Sequence, residues 1–171
     1  CLFDKTSELF FYIGNDSTLT GNLSHFLIKT ILETPDGNIW VGTNNGLNRL
    51  KWLAPPPKIL ANDFNYKNHL EIKQIFFGEK EKNLEENLIT ELIISSKNEI
   101  WLSSFAQILR LNLEGNILEE INLTSDPTVD GGSEFLEAQD GTIWVSRHRG
   151  LFNNRNGNWS EITTPPSIKG K

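Results

Sequence analysis

At 171 residues and 19.4 kDa the chain has the length of one ordinary domain with a sizeable core. Sixteen Lys and Arg against 22 Asp and Glu give a net charge of −6 and a pI near 5.1, which argues against a nucleic-acid surface or a polybasic membrane patch. The single cysteine, Cys1, excludes an intrachain disulfide and a cysteine metal cluster, and no apolar run approaches the roughly 18 residues of a membrane span. Without any methionine, residue 1 is not a translation start, so the chain is expected to be a processed form or a piece of something longer.

Self-similarity sets the elements. Ile39-Trp40-Val41, Ile100-Trp101-Leu102 and Ile143-Trp144-Val145 superpose, as do Leu47 to Leu50, Ile108 to Leu111 and Gly150-Leu151. Trp101 and Trp144 are 43 residues apart, whereas Trp40 and Trp101 are 61 apart, so the first unit carries an insertion of about 18 residues. A period near 43 built from short β-rich segments fits a four-stranded β-propeller blade, and the expected fold is all-β.

In chain order, residues 1–13 read as the end of a third strand, a polar turn and a fourth strand, a half blade. Cys1 falls inside that half blade, so it is read as a cut point in preference to a lipidated or N-terminal catalytic cysteine. The first full blade covers 28–77. Its strand A is Ile28–Leu32, the Asp36-Gly37 turn supplies the positive-φ residue of a tight hairpin, and strand B is Asn38–Thr43. Asn44-Asn45-Gly46 turns into strand C, and Glu71–Phe77 is strand D. The insertion falls at about 51–70, where Pro55-Pro56-Pro57 cannot donate ladder hydrogen bonds and is expected to protrude. The second blade, 88–123, has strands at Leu88–Ile94, Glu99–Ser103, Ile108–Leu111 and Asn116–Leu123. The third, 133–163, has strands at Phe135–Ala138, Thr142–Ser146, from Gly150-Leu151, and Asn158–Thr163, with its first turn at Asp140-Gly141. The sum is about three and a half blades, fourteen strands, short of a closed ring, so the remaining blades of a longer chain are the expected neighbours, with closure by self-association as the second choice.

Trp40, Trp101 and Trp144 sit mid-strand at a fixed repeat position, which is where blade-to-blade core belongs, although an indole face also suits a sugar ring. The B–C and D–A loops emerge on one face of a propeller, where ligand surfaces form. The candidates there are Asn44, Asn45, Ser104, Phe105, Arg147, His148 and Arg149, with the D–A loops 14–27, 78–87 and 124–134. Amide and guanidinium groups suit sugar hydroxyls or glycan carboxylates. His25, His69 and His148 lack metal-ligand spacing, so no metal and no cofactor is expected. The charged run from Glu79 to Glu86 reads as a solvated loop. The four Asn-x-Ser/Thr sequons, at Asn15, Asn22, Asn122 and Asn158, are no more than composition produces.

The repeat resembles the two-component regulator propeller family, whose blades carry a pattern close to Asp-Gly-x-hydrophobic-Trp-hydrophobic-Gly-Thr-x-x-Gly-Leu-x-Arg. Asp36-Gly37-Asn38-Ile39-Trp40-Val41-Gly42-Thr43-Asn44-Asn45-Gly46-Leu47-Asn48-Arg49 matches every specified position. The third blade keeps Asp140-Gly141, Trp144 and Gly150-Leu151; the second has Lys97-Asn98, Ser103-Ser104 and Gln107-Ile108 instead. The resemblance implies a non-catalytic, ligand-sensing segment of the extracytoplasmic, periplasmic region of a bacterial sensor histidine kinase. It implies an oligosaccharide ligand, a homodimer through the whole sensor, and no membrane contact by this segment. A propeller enzyme of the streptogramin-lyase type and a protein-interaction scaffold are the competing classes.

Overall fold

Each Trp-centred unit folds as its own four-stranded antiparallel sheet in simple up-and-down order. The structure is a computed structural model and describes residues 2–5, 8–11, 13, 22–54, 65–78, 84–121, 123, 133–147 and 150–162. The chain divides into two compact units, residues 1–89 and 90–171.

In the first unit, β1 (Leu2–Asp4) pairs with β2 (Leu9–Phe11), with the Phe3 and Phe10 rings 4.7 Å apart. The first four-stranded blade follows as β3 (Ile28–Glu33), β4 (Ile39–Thr43), β5 (Gly46–Trp52) and β6 (Leu70–Ile75). The second unit holds two blades. One is β7 (Ile89–Ile94), β8 (Ile100–Ser104), β9 (Ile108–Leu111) and β10 (Ile117–Ile121). The other is β11 (Ser133–Glu137), β12 (Ile143–Arg147), β13 (Gly150–Asn153) and β14 (Ser160–Glu161). The fold is all-β, built of propeller blades.

The three A–B turns share one hydrogen-bond pattern despite different sequences. Thr34 N donates to Asn38 O and Gly37 N to Thr34 O; Ser95, Asn98 and Glu99 repeat this, as do Ala138, Gly141 and Thr142. The third turn residue has positive φ in each, 78° at Gly37, 59° at Asn98 and 78° at Gly141. Asparagine tolerates this region better than other side-chain-bearing residues, so Lys97-Asn98 keeps the turn that Asp-Gly makes elsewhere. The lost aspartate is also replaced. Asp36 Oδ1 accepts from Asn38 N and Asp140 Oδ1 from Thr142 N, whereas in the second blade Ser95 Oγ accepts from Glu99 N. The Thr142 backbone amide, then its side chain, holds the Asp140 carboxyl below its usual value. At Asp36 partial burial pushes the other way, but the Thr34 hydroxyl and the Asn38 amides outweigh it and the net direction is down.

Strands β4 and β8 are buried on both faces, whereas β12 leaves Ser146 exposed and Trp144 half-buried. All five residues of β8 are buried, so Ile-Trp-Leu reads as an apolar run with no period-two alternation. In the second unit Trp101, Ile108 and Ile121 of one blade pack on Ile143 and Val145 of the next, with Phe135 and Trp159 against the cluster. In the first unit Leu23, Val41 and Leu50 form a cluster with Ile13, Ile39 and Ile72.

Several strand ends differ from expectation. Ser104 and Arg147, placed in B–C turns by sequence, are the last residues of β8 and β12. Ser133, placed in a D–A loop, opens β11 because its amide finds Ser103 Oγ at 2.9 Å. Among the described residues strand D of the third blade is Ser160–Glu161, starting two residues later than expected because the Asn158 amide closes the 3-10 turn on Arg155 O at 3.3 Å and does not enter the ladder. Within the charged D–A loop a one-turn helix, α1 (Leu84–Asn87), ends at buried Asn87, whose Oδ1 takes the Phe77 amide at 2.7 Å. Between β5 and β6 lie residues 53–69, of which 55–64 are outside the described residues. The segment begins by extending the hairpin, Leu53 N to His69 O, and ends in a 3-10 turn whose Tyr66 hydroxyl donates to Asn22 Oδ1 at 2.6 Å. Pro55 to Pro57, Cys1, His148 and Arg149 lie outside the described residues, as do 14–21, 79–83 and 124–132 of the D–A loops.

Candidate functional site

The loop-face candidates fall into two groups. In the first unit, β4 and β5 present Asn44 and Asn45 at their turn, both half-buried. Asn44 N donates to Leu27 O and Asn45 N to Thr43 Oγ1, which fixes the backbone, while both Oδ1 atoms lack a partner among the described residues. Gly46 closes the turn at φ 109°; a Cβ there would come within 2.9 Å of the Phe76 ring and 3.0 Å of Ile75 O. The turn is therefore rigid, and its two Oδ1 atoms are closed off from solvent as well as unpartnered.

In the second unit the structure brings Ser104, Phe105 and Arg147 together, but two of them serve the fold. Ser104 Oγ accepts from Gln107 N and caps its own turn. Arg147 is buried and donates from Nη2 to Ala106 O at 3.0 Å, so the guanidinium braces one B–C loop against the next strand. Phe105 is half-buried in that braced loop.

Sequence reasoning missed the polar node beneath the first-unit loop. Asn48, at an unspecified position of the repeat, is fully buried: its Oδ1 accepts from Ser24 N at 2.8 Å, and its Nδ2 donates to Ser24 Oγ at 2.9 Å and Val41 O at 3.1 Å. Ser24 Oγ lies 3.0 Å from Thr43 Oγ1, which donates to Gly46 O. The repeat threonine thus ties the B–C turn to the segment entering strand A.

Of the repeat tryptophans, Trp40 is wholly buried and Trp101 nearly so, while Trp144 is half-buried. Trp40 Nε1 donates to Thr34 Oγ1 at 3.3 Å, with the Arg49 guanidinium carbon 6.0 Å from the ring centroid. Sequence reasoning also missed a cleft at the A–B turn end of the second unit, about 170 Å3, lined by Trp101, Arg110, Glu99, Glu119 and Trp159 among others. Glu99 and Glu119 bracket Arg110 at 2.9 and 3.0 Å. The signal was present: Arg49 and Arg110 each follow their tryptophan by nine residues and pair with it across the strands.

Elsewhere in the unit, Glu91 on β7 and Glu134 on β11 occupy the same repeat position. Burial first, and then the Glu134 charge, raises the Glu91 carboxyl above its usual value. A raised carboxyl weakens the fold once pH climbs through the raised value, and the cost vanishes below the unfolded value. Among the described residues no three His, Cys, Asp or Glu side chains are grouped to hold a metal ion, and no helix is long and apolar enough to cross a membrane.

No curated protein sequence matches the chain. Among solved structures it is similar to a catalytically inactive H270A virginiamycin B lyase from Staphylococcus aureus, bound to quinupristin, at 17% identity and TM-score 0.54 over 81% of this chain. It is also similar to two extracellular domains from B. thetaiotaomicron. One, of a putative hybrid two-component system, is 14% identical with TM-score 0.55 over 80% of this chain. The other, of a putative one-component system, is 19% identical with TM-score 0.55 over 83%. The chain spans 41% of the lyase and 17% of each extracellular domain. These likenesses establish the β-propeller fold. Residues 24–45, the segment holding Ser24, Trp40, Thr43 and the Asn44-Asn45 turn, match the two component regulator propeller family.

Proposed function

We propose that the chain is a non-catalytic, ligand-sensing propeller segment from the extracytoplasmic region of a bacterial two-component sensor, responding to oligosaccharide bound at the loop ends of its blades. The observation that carries this reading is the family match at 24–45 combined with the burial of Trp40 inside it. The aromatic signature of the repeat at Trp40 is used for packing, so binding falls to the turns, where Asn44 and Asn45 stand half-buried at the loop end of the blade. Carboxamides pair with sugar hydroxyls as both donor and acceptor. A bound chain of sugars would bias how the array packs on its neighbours, and a sensor passes such a bias on as a population shift. The likeness to virginiamycin B lyase keeps a catalytic propeller as the second reading.

Calorimetric titration of the intact protein with a panel of neutral and acidic oligosaccharides tests the loop face. One member is expected to bind, with affinity falling about tenfold in Asn44→Ala combined with Asn45→Ala, the scale of one or two lost hydrogen bonds. Absence of heat with every sugar, or full affinity in the double variant, would overturn the assignment.

A further inference from the structure

Strand A of the first blade leaves open the contacts that strand A of the third blade makes. In the second unit, β11 meets the A–B hairpin of the preceding blade at three points on one face. Ser133 N donates to Ser103 Oγ at 2.9 Å, the Phe135 ring lies 6.4 Å from the Trp101 ring, and Glu137 accepts from the Ser96 amide and hydroxyl, both at 2.7 Å. Trp101 and Ser103 belong to β8, and Ser96 to the turn between β7 and β8.

The ladder of β3 on β4 puts Ile28, Ile31 and Glu33 opposite Thr43, Val41 and Ile39, as Ser133, Phe135 and Glu137 stand opposite Arg147, Val145 and Ile143. Glu33 therefore repeats Glu137, and Ile31 takes the place of Phe135. Ser133 is 1% exposed, and Phe135 and Glu137 are half-buried. At the same places Ile28 is 43% and Ile31 64% exposed, and Glu33 is exposed as well.

The sheet that precedes this strand is incomplete among the described residues. β1 and β2 correspond to strands C and D. Ile13, two residues past β2, packs on the Leu23, Val41 and Leu50 cluster, as Leu123, two residues past β10, packs on the cluster that holds Ile143 and Val145. In the complete blades strand C is paired on both sides, with strand B and with strand D. β1 is paired with β2 alone. An open strand edge is a template for pairing.

We infer that the edge of β1 and the exposed face of β3 together form a docking site for a β-hairpin of this same repeat. The second strand of the hairpin pairs with β1, a large apolar residue on it packs against Ile31, and an amide or hydroxyl in its turn donates to Glu33. The kind of occupant follows from the second unit, where all three contacts of β11 come from one A–B hairpin. The three A–B hairpins of this chain are each held by their own strand C, so the occupant comes from outside these blades. Ladder hydrogen bonds would supply affinity and the side-chain positions specificity. The site lies in the first unit alone and does not depend on the ligand reading.

A synthetic peptide of residues 88–105, the A–B hairpin of the second blade, is the probe. Fluorescence anisotropy of the labelled peptide with the intact protein is expected to show micromolar binding, and hydrogen exchange should slow in Leu2–Asp4. Ile31→Asp in the protein should weaken binding by at least about tenfold, and Glu33→Ala by about tenfold. Both residues are exposed, so thermal unfolding should be unchanged in either variant. Trp101→Ala within the peptide should cost about as much as Ile31→Asp. No binding, equal binding of a scrambled peptide, full-strength binding to Ile31→Asp, or unchanged exchange in β1 would each overturn the site. So would dimerisation of the protein that excludes the peptide, which would give the β1 edge to a second copy.

Discussion

Replacing Trp40 by alanine is expected to cost about 3–5 kcal/mol of unfolding free energy in a urea titration, the range for deleting a fully buried large aromatic. The side chain has no exposed surface, donates to Thr34 Oγ1, lies beneath the Arg49 guanidinium, and sits opposite Leu32 and Arg49 in the ladder. Alanine would remove the buried area, leave a cavity the rigid blade closes only in part, and orphan the Thr34 hydroxyl's contact. Against total stabilities of about 5–15 kcal/mol, that loss takes a large share of the fold. Trp144→Ala is the internal comparison. Trp144 holds the same repeat position but is half-buried, beside Leu136 at 64% exposed. Its loss should be less than half that of Trp40, since cost follows burial. Equal losses would mean that burial does not set the role of this position.

Asn48→Ala is expected to be nearly as severe, about 2–4 kcal/mol, although it deletes only a small polar side chain. The carboxamide serves the Ser24 amide, the Ser24 hydroxyl and the Val41 carbonyl within a fully buried node. Each buried group left unsatisfied costs about 1–3 kcal/mol. Asn48→Asp separates the two halves of the carboxamide. It keeps the acceptor for Ser24 N but loses the donor and buries a charge, so it should be at least as damaging at neutral pH. It should recover partly as the solution is acidified and the carboxyl is protonated. A loss under 0.5 kcal/mol for Asn48→Ala in the same urea titration would mean that water replaces the side chain and the node does not hold the turn.

The blades were legible because their signals are local. Trp spacing, Asp-Gly turns and apolar runs each report on a few neighbouring residues, and the longer stretch between β5 and β6 showed as extra length in one period. The Lys97-Asn98 turn shows the limit from the other side: the written motif is lost, but the left-handed turn survives through Asn98, because the backbone requires a conformation and not a particular residue. The site was less legible because its partners are distant in sequence. Asn48 meets Ser24 across 24 residues and Arg147 meets Ala106 across 41. A linear pattern assigns Asn48 to a variable position and Arg147 to a solvated turn, yet folding makes the first a buried node and the second a brace. The cleft escaped for the same reason, since Trp159 is not at the repeat's tryptophan position and meets Trp101 only after two blades have packed.

As a sensing segment, the chain would bind its ligand and leave it untransformed. The most direct measurement incubates the intact protein with quinupristin and, separately, with the best-binding oligosaccharide, and follows each compound by chromatography over many hours. Both should be recovered unchanged, the oligosaccharide while calorimetry shows it bound. Conversion of quinupristin, or steady depletion of the sugar in proportion to protein, would contradict the account and make the propeller an enzyme.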